Sequence, residues 1–592
     1  MTANQMEDVI QRWRNTQGKD VKAEDHELFV NVGQMCIAQG DSAQLLDFIS
    51  EEKNQDIVKS MGSGLIGPLI KDMVKKERDS VHCQAVITHI IQICNADELL
   101  DVLLKQVEET DPVVIADTIT LLMQQIQPVL MRLGDSKPAL LSLALDALHK
   151  QISKLPVPYT HKQEVEDVHG LCRCCTALLT FVQPFVQEVK SQEAKSPMAS
   201  TYHSRMRTVL HKFCMESLRE PLLGAQLDRE THKSHNSPLW NFATEIMSTL
   251  SAIQEPLPNL LLYYPLRGKE DKRVVQDDSQ LPESRACLAY LLFVQLIAIE
   301  LFPAVFSPVF ILQCNMEYIN ILLRRKDEPW ILKGLDLYVK SLDRVLDHSL
   351  PVGLLEQKMF HTVTQNLIHI MTDCPIQHLR VKALVVFQLF IEKLSWEAKH
   401  KFFRCIMKTS QHAGVESVIL TNIKNQVENS SKSDGQMGSW FKGTLLLALL
   451  RNTLSLPQGP ETDLLHGMDR VMVSLNLLRY LLIRERSKST GIWTELCDIA
   501  ESYIKILRVC LTMSKSYYGS ELKRLHEDKK VIVRELKEAS GNKSIQRMIV
   551  KNKALAGMPC EAQEKVLQCA LVTYDLMESL VIRIEEILDE RV

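Results

Sequence analysis

Helical periodicity is the feature of this 592-residue sequence that most constrains its fold. Apolar residues recur every three or four positions in segments of about 12–20 residues, and Gly, Pro or polar clusters separate these segments. The alternation of apolar and polar residues that is typical of strands is almost absent. The helices come in pairs about every 35–45 residues, close to the repeat length of HEAT and armadillo proteins. The pattern therefore predicts an all-α fold, an irregular HEAT/armadillo-like α-solenoid in two parts.

Chain length and one polar segment predict the domain organisation. A single hydrophobic core stops growing at roughly 250–300 residues, so 592 residues require several domains or a repeat array. The segment 266–283 is strongly polar and contains the run GKEDKR. We therefore predict an N-terminal helical domain at 1–265, a polar linker or loop at 266–283, and a C-terminal helical domain at 284–592.

Composition is typical of a soluble globular protein, with 45% hydrophobic and 24% charged residues. The 15 cysteines have no framework spacing, and the first residues contain no apolar signal core. The most apolar run, 286–299, is shorter than the roughly 20 residues of a membrane span, so it predicts a buried core helix and no membrane insertion. We expect reduced thiols and a cytoplasmic location, with a nuclear pool left open.

The periodicity also gives helix boundaries. We predict one long helix at 165–189, one at 285–301, and one at 493–512 followed by a basic helical segment. The last helix, 561–589, carries apolar residues near heptad spacing: Val566, Ala570, Met577, Leu580, Ile584 and Ile587.

Two short motifs resemble chemical sites but favour structural interpretations. GSGLIG at 62–67 matches a dinucleotide-binding fingerprint, yet it follows a helical run instead of a strand, so it predicts a turn between helices. The cluster CRCC at 172–175 would place Cys172 and Cys175 on one helix face and Cys174 on another, whereas zinc needs four converging ligands. We therefore predict buried thiols, with no metal and no cofactor.

No established catalytic motif occurs in the sequence. The nucleophile elbow G-x-S-x-G, the zinc motif H-E-x-x-H and the phosphate-binding P-loop are all absent. A Cys–His pair that meets only in the folded chain stays open at this level. The sequence predicts a protein that is not an enzyme.

Charge is unevenly distributed along the chain. The net charge is −4, but 515–553 contains 11 Lys and Arg against 5 Asp and Glu. Such a segment is usually a solvated helix face or a mobile stretch, although it can also steer an acidic partner. Because the whole chain is slightly acidic and no nucleic-acid-reading module accompanies this segment, we predict no nucleic-acid binding.

The segment 456–496 contains the most informative helix. We predict that it runs from about 469 to 486 and that Asp469 caps its first turn. At 100° per residue, four apolar residues form a core stripe: Val471, Leu475, Leu478 and Leu482. The opposite side carries Asp469, Val473, Asn476 and Tyr480. This side is either a second buried face or a contact face for a partner, and the pattern alone leaves both interpretations open.

Several stretches resemble the glomulin family of helical-repeat, immunophilin-associated proteins. They are LPVPY (155–159), GLCRCCTAL (170–178), SQHAGVE (410–416), NIKNQ (422–426), ETDLL (461–465), DRVMVSLNLLRY (469–480) and GIWTEL (491–496). They follow one another in order along almost the whole chain, and they are not generic motifs.

The resemblance implies a function that periodicity cannot provide. It implies that the C-terminal part binds the RING-box subunit of cullin–RING ubiquitin ligases, with its cullin, and masks the surface for the ubiquitin-conjugating enzyme. It also implies links to FK506-binding immunophilins, to the hepatocyte growth factor receptor and to vascular smooth-muscle development. An adaptor or scaffold without ligase inhibition is the alternative. Our candidate protein-binding residues are Asp469, Arg470, Val473, Asn476, Tyr480 and Trp493.

Overall fold

The structure is a computed structural model and describes residues 23–39, 42–75, 81–191, 197–227, 237–262, 281–432, 436–456, 458–486, 491–538 and 558–590. Within these ranges the chain is helical, and the one β-type pairing is an isolated parallel bridge between Leu350 and Leu394. The predicted all-α fold is confirmed.

The chain divides into two compact units, Met1–Arg344 and Val345–Val592. The helices of the first unit are α1 (Ala23–Gln39), α2 (Ser42–Ser50), α3 (Gln55–Met61), α4 (Ile66–Lys75), α5 (Val81–Ile93), α6 (Ala96–Glu108), α7 (Ile115–Arg132), α8 (Lys137–Ile152), α9 (His161–Glu166), α10 (Leu171–Ser191), α11 (Pro197–Arg219), α12 (Pro238–Ala252), α13 (Leu257–Leu261), α14 (Leu281–Phe293), α15 (Pro308–Leu323) and α16 (Glu328–Asp343). Those of the second unit are α17 (Val352–Leu355), α18 (Lys358–Asp373), α19 (Gln377–Lys393), α20 (Trp396–Thr409), α21 (Ala413–Lys432), α22 (Gly443–Thr453), α23 (Leu464–Arg486), α24 (Trp493–Glu538) and α25 (Cys560–Asp589).

Successive helices pack as antiparallel pairs, as α15 and α16 illustrate. The Asn315 amide donates to the Ser341 hydroxyl over 3.0 Å near one end of the pair. Near the other end, Gly334 lies so close to Leu322 that a Cβ there would be 2.9 Å from the Leu322 Cβ. Neighbouring pairs stack on one another within each unit, so each unit is an irregular helical stack of the HEAT type.

A buried lysine fastens the turn after α11 to α16. The ammonium of Lys333 donates to the carbonyls of Leu223, over 3.0 Å, and Ala225, and it lies 5.4 Å from the centre of the Tyr290 ring. Burial lowers the pKa of Lys333 from 10.5 to about 8. The folded chain therefore holds this proton less tightly than the unfolded chain does.

This pKa difference predicts a specific alkaline response. Between pH 8 and 10 the unfolded chain binds more protons at Lys333, so the wild type should gain about 2 kcal/mol of unfolding free energy relative to Lys333→Met. Urea unfolding of both proteins across this pH range measures the difference. A difference that stays constant with pH would contradict the assigned pKa.

The predicted helix at 165–189 is in fact two helices, α9 and α10. Asp167 and Gly170 both have positive φ, 40° and 74°, and they break the helix between Glu166 and Leu171. A side chain at 170 would also place its Cβ 2.4 Å from that of Ala116. The apolar periodicity continues through this break, and for this reason the sequence pattern concealed it.

The predicted helix at 285–301 is wrong at its end. It corresponds to α14, which stops at Phe293, and the chain then turns through Leu296 and Ala298, whose φ values are 60° and 59°. The run 286–299 is thus only partly a buried core helix. Its second half belongs to the segment that connects α14 to α15.

The predicted domain boundary stays a prediction. Residues 263–280 lie outside the described ranges, and so does most of the predicted linker at 266–283. The two compact units divide further along the chain, between Arg344 and Val345, because α14 packs against α11 and α15 packs against α14. Helices on both sides of the polar segment therefore belong to one unit.

None of the helices in the described part of the chain combines the length and the apolar character needed to span a bilayer.

Candidate protein-binding surface

The helix at the centre of the sequence prediction, α23, starts five residues earlier than predicted. It begins at Leu464, and the carboxylate of Asp463 accepts from the Leu465 amide over 2.9 Å. Asp463 also accepts a hydrogen bond from the Tyr518 hydroxyl over 2.8 Å, which ties the start of α23 to α24. The capping role predicted for Asp469 is therefore wrong, because the helix continues through Gly467 and Asp469 lies in its second turn.

The predicted core stripe of α23 is confirmed. Its four apolar residues are all buried: Val471, Leu475, Leu478 and Leu482. Leu477 and Leu481 are buried beside them, which makes the apolar face wider than predicted. This face packs against α21, α24 and α25, so α23 is an inner helix of the second unit.

The opposite side of α23 is open to solvent. Asp469 and Asn476 are exposed, whereas Val473 and Tyr480 are half-buried. The Asn476 amide donates to the Met472 carbonyl over 2.9 Å, and Lys424 of α21 lies 5.2 Å from the centre of the Tyr480 ring. Four of the six predicted residues therefore share one accessible surface, as the contact-face interpretation requires.

Arg470 does not belong to this surface. It is buried, and its guanidinium pairs with the buried Glu416 of α21 over 3.1 Å. The same group donates to the Thr453 and Ser455 carbonyls at the end of α22. Arg470 is one position past Asp469, and one position turns a helix by about 100°, so it faces the interior. We correct its predicted role from partner contact to internal anchor.

Trp493 also lies apart from the predicted face. It is the first residue of α24 and is half-buried. Helices α20, α22 and α24 form one row of the second unit, whereas α21, α23 and α25 form the other. The four α23 residues and Trp493 therefore belong to different rows.

The helices α21 and α23 run parallel to each other. Three contacts show this: Glu416 with Arg470, Lys424 with Tyr480, and the Val427 carbonyl with Arg484. In these three contacts the residue numbers of α21 and α23 increase in the same direction. Because the two helices also pack side by side, their exposed sides form one continuous surface.

The last helix, α25, extends this surface. Glu590 at its end pairs with Arg486 at the end of α23, so these helices are also parallel. Ion pairs with α24 occupy the flank that carries Glu578 and Glu585. Leu576 lies about 160° around α25 from Glu578, on the side towards α23 and solvent.

These three parallel helices present apolar residues that nothing covers in the described chain. Ile483, Val572 and Leu576 are 49%, 60% and 54% exposed. We call this surface the three-helix face, and its residues are Lys424, Asp469, Val473, Asn476, Tyr480, Ile483, Val572 and Leu576.

Sequence reasoning missed Lys424, Ile483, Val572 and Leu576. Ile483 was detectable, since it lies three positions after Tyr480 and seven after Asn476 on the same helix side. Val572 and Leu576 were detectable as apolar residues outside the heptad stripe of α25. Lys424 had no signal, because its position depends on the packing of α21 against α23.

The glycine motif at 62–67 forms a turn between helices, as predicted. It follows α3 and leads into α4. The glycines permit close packing: a Cβ at Gly62 would lie 3.1 Å from the Cys94 sulfur, and one at Gly64 would lie 2.5 Å from Val30. The motif contributes to packing between helices, and a dinucleotide site is not formed by this turn.

The cysteine cluster at 172–175 lies in the first turns of α10. All three thiols are buried. Burial raises the pKa of Cys172 to about 12 and that of Cys174 to about 11. They are therefore neutral thiols, the buried state predicted from the sequence, and no group of metal-ligating side chains converges on them or elsewhere in the described residues.

One pair in the first unit has the composition of a nucleophile and base. His149 and Ser217 approach to 3.4 Å, and the nearby cavity has a volume of about 220 Å³ with Trp330 in its wall. Ser217 is fully buried, and burial lowers the pKa of His149 to about 4. A base with that pKa is too weak to activate a serine near neutral pH.

The basic segment is partly an extension of α24, which runs unbroken to Glu538 instead of ending near 512 as predicted. Several of its cations are paired within the unit, as Lys515 is with Asp575 and Glu578 and Lys529 is with Glu564. Residues 539–553 lie outside the described ranges. The paired cations support a role in joining α24 to α25.

Comparison with known proteins gives consistent results along the whole chain. The model of a family described as uncharacterised YAP/Alf4/glomulin proteins matches residues 1–558. Glomulin of Homo sapiens is 40% identical over 597 residues, which cover 100% of this chain and 98% of that protein. Glomulin of Mus musculus is 40% identical over 596 residues, with the same coverage.

Among solved structures, importin beta crystallised in an ammonium sulfate condition is similar at 12% identity with a TM-score of 0.21. The match covers 89% of this chain and 61% of the importin chain. A likeness at this level supports no conclusion about function.

Proposed function

This chain belongs to the YAP/Alf4/glomulin family, and from that membership we propose that it is a non-catalytic inhibitor of cullin–RING ubiquitin ligases. In this proposal the second unit binds the RING-box subunit, with its cullin, and covers the surface that receives the ubiquitin-conjugating enzyme. Inhibition then needs no chemistry, because two proteins cannot occupy one surface.

The observation that carries the proposal is the three-helix face. Helices pack about 8–10 Å apart, so three of them span roughly 20 Å, and Asp469 to Ile483 extends about 21 Å along α23. The area of the face is therefore roughly 400 Å², about half of the area that one partner buries in a standard interface. Its apolar residues lie among Lys424, Asp469 and Asn476, and interfaces commonly combine an apolar centre with a polar rim in this way.

The experiment is ubiquitin-chain synthesis by a purified cullin–RING ligase, titrated with the full-length protein. We expect inhibition that saturates near one inhibitor per ligase and that excess conjugating enzyme relieves. A ligase without a RING subunit, supplied with the same conjugating enzyme, is the matched control and should be unaffected. Inhibition of both ligases, or inhibition that conjugating enzyme does not relieve, would contradict surface masking.

A second candidate function is that of an adaptor for an FK506-binding immunophilin and the hepatocyte growth factor receptor. The observation that favours it is the division of the chain into two compact units, since the three-helix face uses helices of the second unit alone. In this case purified immunophilin would bind the chain while ligase activity stayed unchanged. Binding of both partners, with ligase inhibition, would mean that the two functions coexist.

A further inference from the structure

The connection between α14 and α15 is unusually apolar for an exposed segment. Residues 294–307 contain a single ionisable side chain, Glu300. Val305 is 85% exposed and Leu301 is 51% exposed, and Pro303 and Ala304 between them are also exposed. Contiguous exposed apolar residues are more informative than scattered ones, because interaction sites are commonly built from such patches.

This segment is held in a defined conformation from within. The Gln295 amide donates to the Leu227 carbonyl over 2.5 Å, and Ile297 is buried. Contacts between successive aromatic rings support the remainder of the segment. The ring centroids of Phe293, Phe302, Phe306 and Phe310 are separated in turn by 5.3, 5.7 and 5.7 Å. The outward apolar side chains are thus presented on a prearranged support, which reduces the entropy lost on binding.

The backbone adds a second indication. Leu296 and Ala298 both have left-handed φ angles near 60°. This conformation is unfavourable for residues other than glycine, and residues that adopt it concentrate at functional sites. Two of them within three residues, at the entrance to an exposed apolar segment, indicate that its conformation is specified.

Charge narrows the choice of partner. The sequence contains no Lys or Arg between Arg285 and Arg324, so the segment itself supplies no cation that would attract an anionic membrane. A symmetric contact of this segment with a second copy of itself would offer no cation to Glu300, because the segment contains no Lys or Arg. A different protein that carries a Lys or Arg at its binding site could pair with Glu300, which neither an anionic membrane nor a second copy of this segment does.

We propose that segment 294–307 is a docking element for a second protein, whose complementary site is an apolar groove bordered by at least one Lys or Arg. Leu301 and Val305 would enter the groove, and Glu300 would pair with the cation at its border. This site lies in the first unit, and it is independent of the three-helix face and of the proposed ligase inhibition.

The test begins with photo-crosslinking of the full-length protein in cells, with p-benzoylphenylalanine replacing Val305. The same substitution at Val113, an 88% exposed valine on another loop of the first unit, is the control. A protein cross-linked from 305 and not from 113 is then purified, and its affinity for the chain is measured by calorimetry. Cross-linking alone does not decide the matter.

We expect the double variant Leu301→Asp/Val305→Asp to weaken this affinity at least about 30-fold, and Glu300→Lys about 10-fold. Val113→Asp should leave the affinity unchanged, and circular dichroism should show that every variant is folded. The proposal would be overturned if the wild type and the double variant had equal affinity, or if no protein were cross-linked from 305 and not from 113. It would also be overturned if the wild type self-associated in ultracentrifugation, or sedimented with phosphatidylcholine–phosphatidylserine vesicles, and the double variant did not.

Discussion

Arg470→Ala is expected to lower the unfolding free energy of the second unit by about 3–5 kcal/mol. The substitution leaves the Glu416 carboxylate buried without its 3.1 Å partner, and it also removes the donor to the Thr453 and Ser455 carbonyls. Because this one side chain joins α21, the end of α22 and α23, its loss should loosen all three. Hydrogen exchange of peptides from these helices, followed in increasing urea, measures the effect.

The adjacent residue provides a matched control. Asp469→Ala changes an exposed side chain one position away and should alter the same measurement by less than about 0.5 kcal/mol. The double variant Arg470→Met/Glu416→Leu should recover much of the lost stability, since it removes both buried charges together. A single variant as stable as the wild type would show that the ion pair does not hold these helices.

The loss of unfolding free energy caused by Arg470→Ala, which we call the deficit, should also depend on pH. Burial raises the pKa of Glu416 above its ordinary value of 4.5, and Arg470 is the group that opposes this rise. Without Arg470 the folded pKa should rise further. An acid with a raised folded pKa contributes stability that is present below its unfolded pKa and is lost as pH rises through its folded pKa. The deficit should therefore be smaller near pH 4.5 than near pH 8.

The helices themselves were predictable because their signals are local. Apolar spacing along α23 identified the buried stripe, and all four of its predicted members are buried. The boundaries were less predictable where periodicity continued through a break. Gly170 lies within an apolar pattern, and the helix is broken there by the positive φ angles of Asp167 and Gly170. The close approach of Ala116 to Gly170 is a contact with another helix that the local sequence does not encode.

The residues that share the candidate surface could be predicted within one helix, but those contributed by neighbouring helices could not. The exposed side of α23 follows from angular position, which is why Asp469, Val473, Asn476 and Tyr480 were grouped correctly. Arg470 was misassigned because an arginine usually faces solvent, whereas the partner that permits its burial, Glu416, is 54 positions away in sequence. Lys424 and Leu576 join the surface only through the parallel packing of α21, α23 and α25.

Ile483→Glu/Leu576→Glu combined with Tyr480→Ala should weaken binding to a purified cullin–RING complex about 1,000-fold. The change places two charges in the apolar part of the three-helix face and removes its aromatic ring. Single interface anchors contribute 2 kcal/mol or more, and tenfold in affinity corresponds to 1.4 kcal/mol, so three such changes reach this magnitude even when they are not fully additive. Inhibition of chain synthesis should fall in parallel.

The matched control for this variant lies on the other row of helices. Val509 and Met513 of α24 are 45% and 53% exposed, so Val509→Glu/Met513→Glu adds the same charges to a comparably apolar surface away from the face. We expect this control to bind and inhibit like the wild type. Equal loss in both variants would mean that charge or instability weakens binding, and no loss in either would place the ligase contact elsewhere in the chain. Only a loss confined to the first variant is consistent with a RING subunit held against α21, α23 and α25. Both variants add two glutamates to exposed apolar surface, and only the first alters this row of helices, where it also removes the Tyr480 ring.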